Sequence, residues 1–150
     1  MADGGDGLDH GPAPVTEGEW AGWQHWVGDA YEDHAGPFYF REEPDGSVRC
    51  AFRAAPQHLN GGGNMHGGCM LTFADYALFM IGAKAMANGG GVTVSLNGEF
   101  VGPAGLGDLV EATGEVVRAG GSLIFMRGLI STGGRAMMTF SGVVKRTKRG

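Results

Sequence analysis

Residues 67–87 form a long apolar stretch framed by glycines, with His66-Gly67-Gly68 at its start and Asn88-Gly89-Gly90-Gly91 beyond its end. Its length and glycine stop predict one helix. A helix apolar on all sides must be buried on nearly all of them. Asp75 and Lys84 interrupt the run and no anchoring flanks follow, so a core helix is expected rather than a membrane span.

The rest of the chain must supply the cover. Residues 38–43 and 47–54 read as strands joined at Pro44-Asp45-Gly46. After the helix come four strand-like stretches, 92–101, 109–118, 122–131 and 136–145. Ala119-Gly120-Gly121 and Thr132-Gly133-Gly134-Arg135 punctuate the last three, which predicts an antiparallel meander. The expectation is an α+β domain, a curved antiparallel sheet wrapped around one long central helix. Residues 1–15 read as a disordered tail. Residues 16–150 read as a single domain opening with a helix over 16–36, in which Thr16 and Glu19 form a capping box and Trp20, Trp23 and Val27 recur at helical spacing. That helix is expected to pack on the domain surface and to end at Gly36-Pro37.

A chain of 150 residues can bury a real core. Its net charge of −5 is uneven: residues 1–45 hold eleven acids and one base, residues 46–150 five acids and ten bases. The main body therefore suits an anionic ligand, although scattered surface charge accounts for the pattern equally well. Basic residues without interleaved aromatics argue against nucleic acid. Cys50 and Cys69 provide no disulfide framework, and no metal-ligand spacing is present, so neither metal nor cofactor is expected. The acidic, polar start has no signal-peptide character, which predicts a cytoplasmic protein with no membrane partner.

Asp75 is the anomaly. It lies mid-helix on a face shared with Leu71, Thr72, Leu78 and Phe79. Lys84 is nine residues on, across the helix, and cannot reach it. Burying an unpaired charge is costly, so Asp75 either finds a partner elsewhere or faces a cavity. Upstream, glycines let backbone approach a ligand closely, and the first helical amides are free donors at the positive end of the dipole. Such amides can hold a carbonyl oxygen as negative charge develops on it.

The pattern Asn60-x5-His66-Gly67-Gly68-x6-Asp75 resembles the signature of the PaaI-like (phenylacetate-degradation type) branch of hot-dog thioesterases. The likeness continues through Val92–Asn97, Pro103-Ala104 and Arg118-Ala119-Gly120-Gly121-Ser122, and covers roughly residues 45–146. It implies hydrolysis of an acyl- or aryl-CoA, with Asp75 activating water or attacking the thioester itself. Asn60 would orient water or the carbonyl. The Gly67 amide, with Gly68 as a second candidate donor, would polarise that carbonyl, and Thr93 would hold the water. The resemblance also implies a homodimer, or a dimer of dimers, built edge to edge, each site taking its glycine loop from one subunit and its acid from the other. Thr93 lies opposite Val92 and Val94 on its strand, and its role is expected to need that pairing.

Two departures stand out: Gly61 occupies a position where the family often has proline, and Asn64 adds a second amide to the loop. His66 is expected to fix the loop by hydrogen bonds. Cys69, at the helix start, is a position where a thiol pKa can fall, although a packed thiol is favoured. Arg118 and the tail residues Lys145, Arg146, Lys148 and Arg149 are candidates to meet CoA phosphates. The alternatives are a non-catalytic acyl-CoA-sensing module, against which the intact Asp75 argues, and a hydratase, whose usual His-plus-acid motif is not found.

Overall fold

The computed structural model describes residues 10–87 and 89–148. Eight strands form one antiparallel sheet: β1 (Gly11–Pro14), β2 (Gln24–Val27), β3 (Tyr39–Glu42), β4 (Val48–Arg53), β5 (Gly90–Phe100), β6 (Leu109–Ala119), β7 (Leu123–Thr132) and β8 (Arg135–Thr147). Their order is β1-β2-β3-β4-β6-β7-β8-β5. The sheet curls around helix α2 (Gly67–Ile81), which buries Met70, Phe73, Ala74, Tyr76, Ala77, Leu78 and Met80. The meander β6-β7-β8 forms as its glycine turns predict.

Leucine and glycine complement one another where helix meets sheet. A Cβ on Gly142 of β8 would lie 2.3 Å from the Leu78 methyl, so only glycine lets the helix seat there. The helical segment over 67–87 breaks at Gly82, which accepts the end of α2 before a short α3 (Ala83–Met86). Lys84, on α3, pairs with Glu42 at 3.1 Å, far from the role of countering Asp75.

Strand β5 closes the sheet on one side. A register shift between Thr93 and Ser95 changes which residues face α2. Val92 and Val94 are exposed, while Thr93 before the shift and Leu96 after it turn inward. The one extra residue thus takes Leu96 off the face that Val92 and Val94 share.

The amino-terminal reading is corrected more fully. Residues 16–36 are not one helix. Gly18, Gly22 and Gly28 all take positive φ, a conformation that no helix interior contains. Glu19 makes no capping box and pairs with Arg53 instead. Gln24–Val27 is a strand, and only Ala30–Ala35 (α1) is helical, capped by Asp29 and ending at Gly36. Tryptophan packing wins over helical spacing: Trp20 stacks on Tyr39 with ring centroids 4.3 Å apart, and the Arg41 guanidinium lies 4.3 Å from the Trp23 ring centroid. Of the expected disordered tail over 1–15, Gly11–Pro14 is a strand paired with β2, and residues 1–9 lie outside the described residues.

Candidate active site

Asp75 finds both a partner and a cavity. Thr93 Oγ1 donates to Asp75 Oδ1 at 2.6 Å, across the gap between β5 and α2. This contact is made within one chain, so the expectation that Thr93 needs a second subunit to reach the acid is overturned. The register shift in β5 turns the hydroxyl inward. Asp75 is half-buried and lines a cavity of about 350 Å³. Leu71, Thr72 and Tyr76 of α2 share that wall, and Asp29, Tyr31 and Glu32 around α1 form the other. The Tyr31 hydroxyl lies 3.2 Å from Thr72 Oγ1, tying the two walls together.

Burial, and then the neighbouring Asp29, Asp75 and Asp33, push the Glu32 carboxyl up to about 7. It thus exchanges its proton near neutrality, beside an acid of the same cavity. Glu32, Asp29, Tyr31 and Tyr76 were missed in the sequence, where the first three fell inside a supposed surface helix. The only available signal was the apolar face around Asp75, and it identified Leu71 and Thr72. Leu78, assigned to the same face, instead fills the space over Gly142.

The glycine loop sits apart. His66 is the N-cap of α2, its Nδ1 accepting from the Gly68 N–H at 2.8 Å. The Gly68 amide is therefore occupied. No hydrogen bond engages the Gly67 N–H among the described residues. The Asn60 Oδ1 accepts from Gly62 N–H and Asn64 N–H, folding the loop upon itself. Asn60, Asn64 and His66 are exposed. Eight residues of helix separate Gly67 from Asp75, roughly 12 Å along the axis. Gly67 meets Phe100 at the far end of β5, whereas Asp75 meets Thr93 near its start. One chain therefore does not bring loop and acid together.

The remaining candidates divide. Arg118 is exposed at the end of β6. Arg146 is consumed structurally: its guanidinium donates to the carbonyls of Ala85 and Gly120. Lys145 and Lys148 are exposed, and Arg149 lies outside the described residues. Cys69 is not activated; burial pushes its thiol up to about 11. No cluster fit to hold a metal ion occurs among the described residues. None of their helices is long and apolar enough to cross a membrane.

A curved antiparallel sheet wrapped around one buried helix is the hot-dog architecture. Residues 62–147 match the family described as Thioesterase superfamily, and the chain belongs to that family of thioester hydrolases. It is 32% identical over 112 residues to a Pseudomonas aeruginosa protein named "Putative esterase PA0474", covering 74% of this chain and 84% of that one. It is 31% identical over 80 residues to human acyl-coenzyme A thioesterase 13, covering 53% of this chain and 57% of the relative. A mutant of the phenylacetic acid degradation protein PaaI from Thermus thermophilus superposes with a TM-score of 0.69 at 25% identity, covering 79% of this chain and all of that one.

Proposed function

We propose that this thioesterase hydrolyses acyl-CoA esters at a site shared by two copies of the chain. The observation that carries the reading is Asp75 itself: a carboxylate on a buried helix, tethered at one oxygen by Thr93 and open to a cavity. With Oδ1 held, Oδ2 is left to take a proton from water or to attack the thioester carbon. The Gly67 N–H, at the positive end of α2, would receive the oxyanion, and Asn60 would orient the carbonyl or the water. The substrate-binding rim would comprise His66, Gly68, Asn64 and Arg118.

The separation of loop and acid supports a dimer. Strand β5 is a long terminal strand whose outer edge is unpaired among the described residues, which invites pairing with another strand. Because α2 starts near Phe100 and reaches Thr93 two turns later, a two-fold axis through the middle of β5 would carry one copy's Gly67 toward the other's Asp75. The exposed outer-face residues Val117, Phe125 and Leu129 suit further association into a dimer of dimers. Arg118, Lys145 and Lys148, all exposed, would be the residues to meet phosphate; Arg146 is withdrawn from that role.

The test is release of free CoA over a panel of acyl- and aryl-CoAs by wild type and Asp75→Asn. The variant should lose at least ~100-fold in kcat. Undiminished turnover rejects the mechanism, and binding without turnover by wild type favours a sensor. After a single turnover in isotopically labelled water, label in the Asp75 carboxyl reports direct attack with the resulting mixed anhydride opened at the Asp75 carbonyl, whereas water attacking the acyl carbon leaves label in the acid product alone.

A further inference from the structure

Behind Glu32 lies a second, much smaller cavity of about 20 Å³, lined in part by His25, Glu32 and Tyr76. Two buried polar atoms have no hydrogen-bond partner among the described residues, His25 Nδ1 and the Tyr76 hydroxyl, and both belong to residues on this one cavity. Tyr76 is only 2% exposed, so its hydroxyl cannot be satisfied from bulk solvent. The volume suits one water, and a buried water needs two to four polar partners. His25, Tyr76 and Glu32, which all line the cavity, would provide three. Glu32 and Tyr76 also line the larger cavity that Asp75 enters.

We propose that Glu32 is a second functional acid of the Asp75 site, held in place by one water shared with Tyr76 and His25, and that its carboxyl forms a hydrogen bond with the bound acyl group. This rests on the acyl-CoA reading above. Glu32 comes from α1, outside the family-matched residues 62–147, so the contact would be a specialisation of this chain on the common scaffold.

The charged groups facing Glu32 account for its protonation. Asp29 and Asp33 flank it on its own helix, Asp75 faces it from α2, and burial adds the largest push, to about 7. Tyr76 of α2 and Cys50 of β4 lie close enough to feel its charge, and burial drives both of their protons to stay bound. His25 of β2 shares the small cavity. No cation is among the groups that shift it. A neutral donor exists below the raised value and is lost as pH rises through it. Above it, Glu32 puts a second negative charge beside Asp75.

The experiment compares pH profiles of kcat/KM for wild type, Glu32→Gln and Glu32→Ala, with free CoA quantified by chromatography and folding checked by thermal melting. Wild type should fall about tenfold or more between pH 6 and 9 and then level off, as the carboxyl loses its proton and adds a charge beside Asp75. Glu32→Gln, whose amide cannot ionise, should lower kcat/KM about threefold at pH 6 and abolish that fall. Glu32→Ala should raise KM about three- to tenfold at pH 6, the loss of one hydrogen bond. A folded Glu32→Gln whose profile keeps the wild-type fall above 7, with Asp75→Asn inactive, overturns the role of Glu32 and leaves the Asp75 reading standing. A wild type that turns over no thioester overturns both.

Discussion

Thr93 and Asp75 are eighteen residues apart in sequence, and the hydroxyl of one donates to the carboxylate of the other at 2.6 Å within a single chain. A strand irregularity accompanies the contact: without the shift at Thr93/Ser95, strict alternation would keep Thr93 and Leu96 from both facing α2. Thr93→Val keeps the shape and removes the donor. It should cost about 1 kcal/mol of stability or less, and lower kcat about tenfold through a less well-held acid. Denaturant melts and steady-state kinetics measure both. A kcat equal to wild type would show that the tether has no part in turnover.

Gly67 can lose its amide hydrogen without losing its helix. It is the first residue of α2, where proline is tolerated, and His66 before it already has φ −67° and ψ 133°, which proline accepts. A Cβ there would meet only the edge of the Phe100 ring at 3.4 Å, and Phe100 is exposed enough to yield. Gly67→Pro should fold and lose about 10²–10³ in kcat. Mixed in equal amounts with Asp75→Asn and allowed to exchange subunits, it should recover about one-quarter of wild-type activity, because half of a random mixture is heterodimer with one intact site. Absence of recovery despite verified exchange would mean that each site lies within one chain.

His58 proves structural. It is 2% exposed, its Nδ1 accepts from the Ala55 N–H at 3.0 Å, and Nε2 therefore carries the proton toward the carbonyls of Ala35 and Gly36. The ring joins the end of α1 to the entrance of the glycine loop. His58→Leu would strand these groups without partners and should destabilise by about 3 kcal/mol, lowering Tm by roughly 10 °C. Calorimetry checks this; a shift of only a degree or two would show that water replaces the ring.

Cys69 sits at the start of α2, yet burial outweighs the helix end and holds its thiol near 11. Almost no thiolate exists at neutral pH, so iodoacetamide at pH 7.5 should label Cys69 far more slowly than free cysteine and leave activity unchanged over the same interval. Mass spectrometry of the peptide measures it. Rapid labelling would mean that the helix terminus governs the thiol after all.

What was legible in the sequence was what local pattern alone decides. The apolar run with one acid in it announced a buried helix, and two glycine turns announced the meander that covers it. The pattern from Asn60 to Asp75 named the family, because its spacing is fixed by a loop and two turns of one helix. Only tertiary structure decided the rest. The tryptophan segment matched helical spacing, but three glycines at positive φ and stacking against Tyr39 and Arg41 made it a sheet extension. Arg146 looked free until its carbonyl partners on α3 and at the β6–β7 turn came into view. Glu32 drew no notice, because its raised affinity for a proton comes from burial and from acids brought beside it by packing. Periodicity and spacing record neighbours along the chain; the partners of a buried charge are neighbours in space, and no single stretch of sequence contains them.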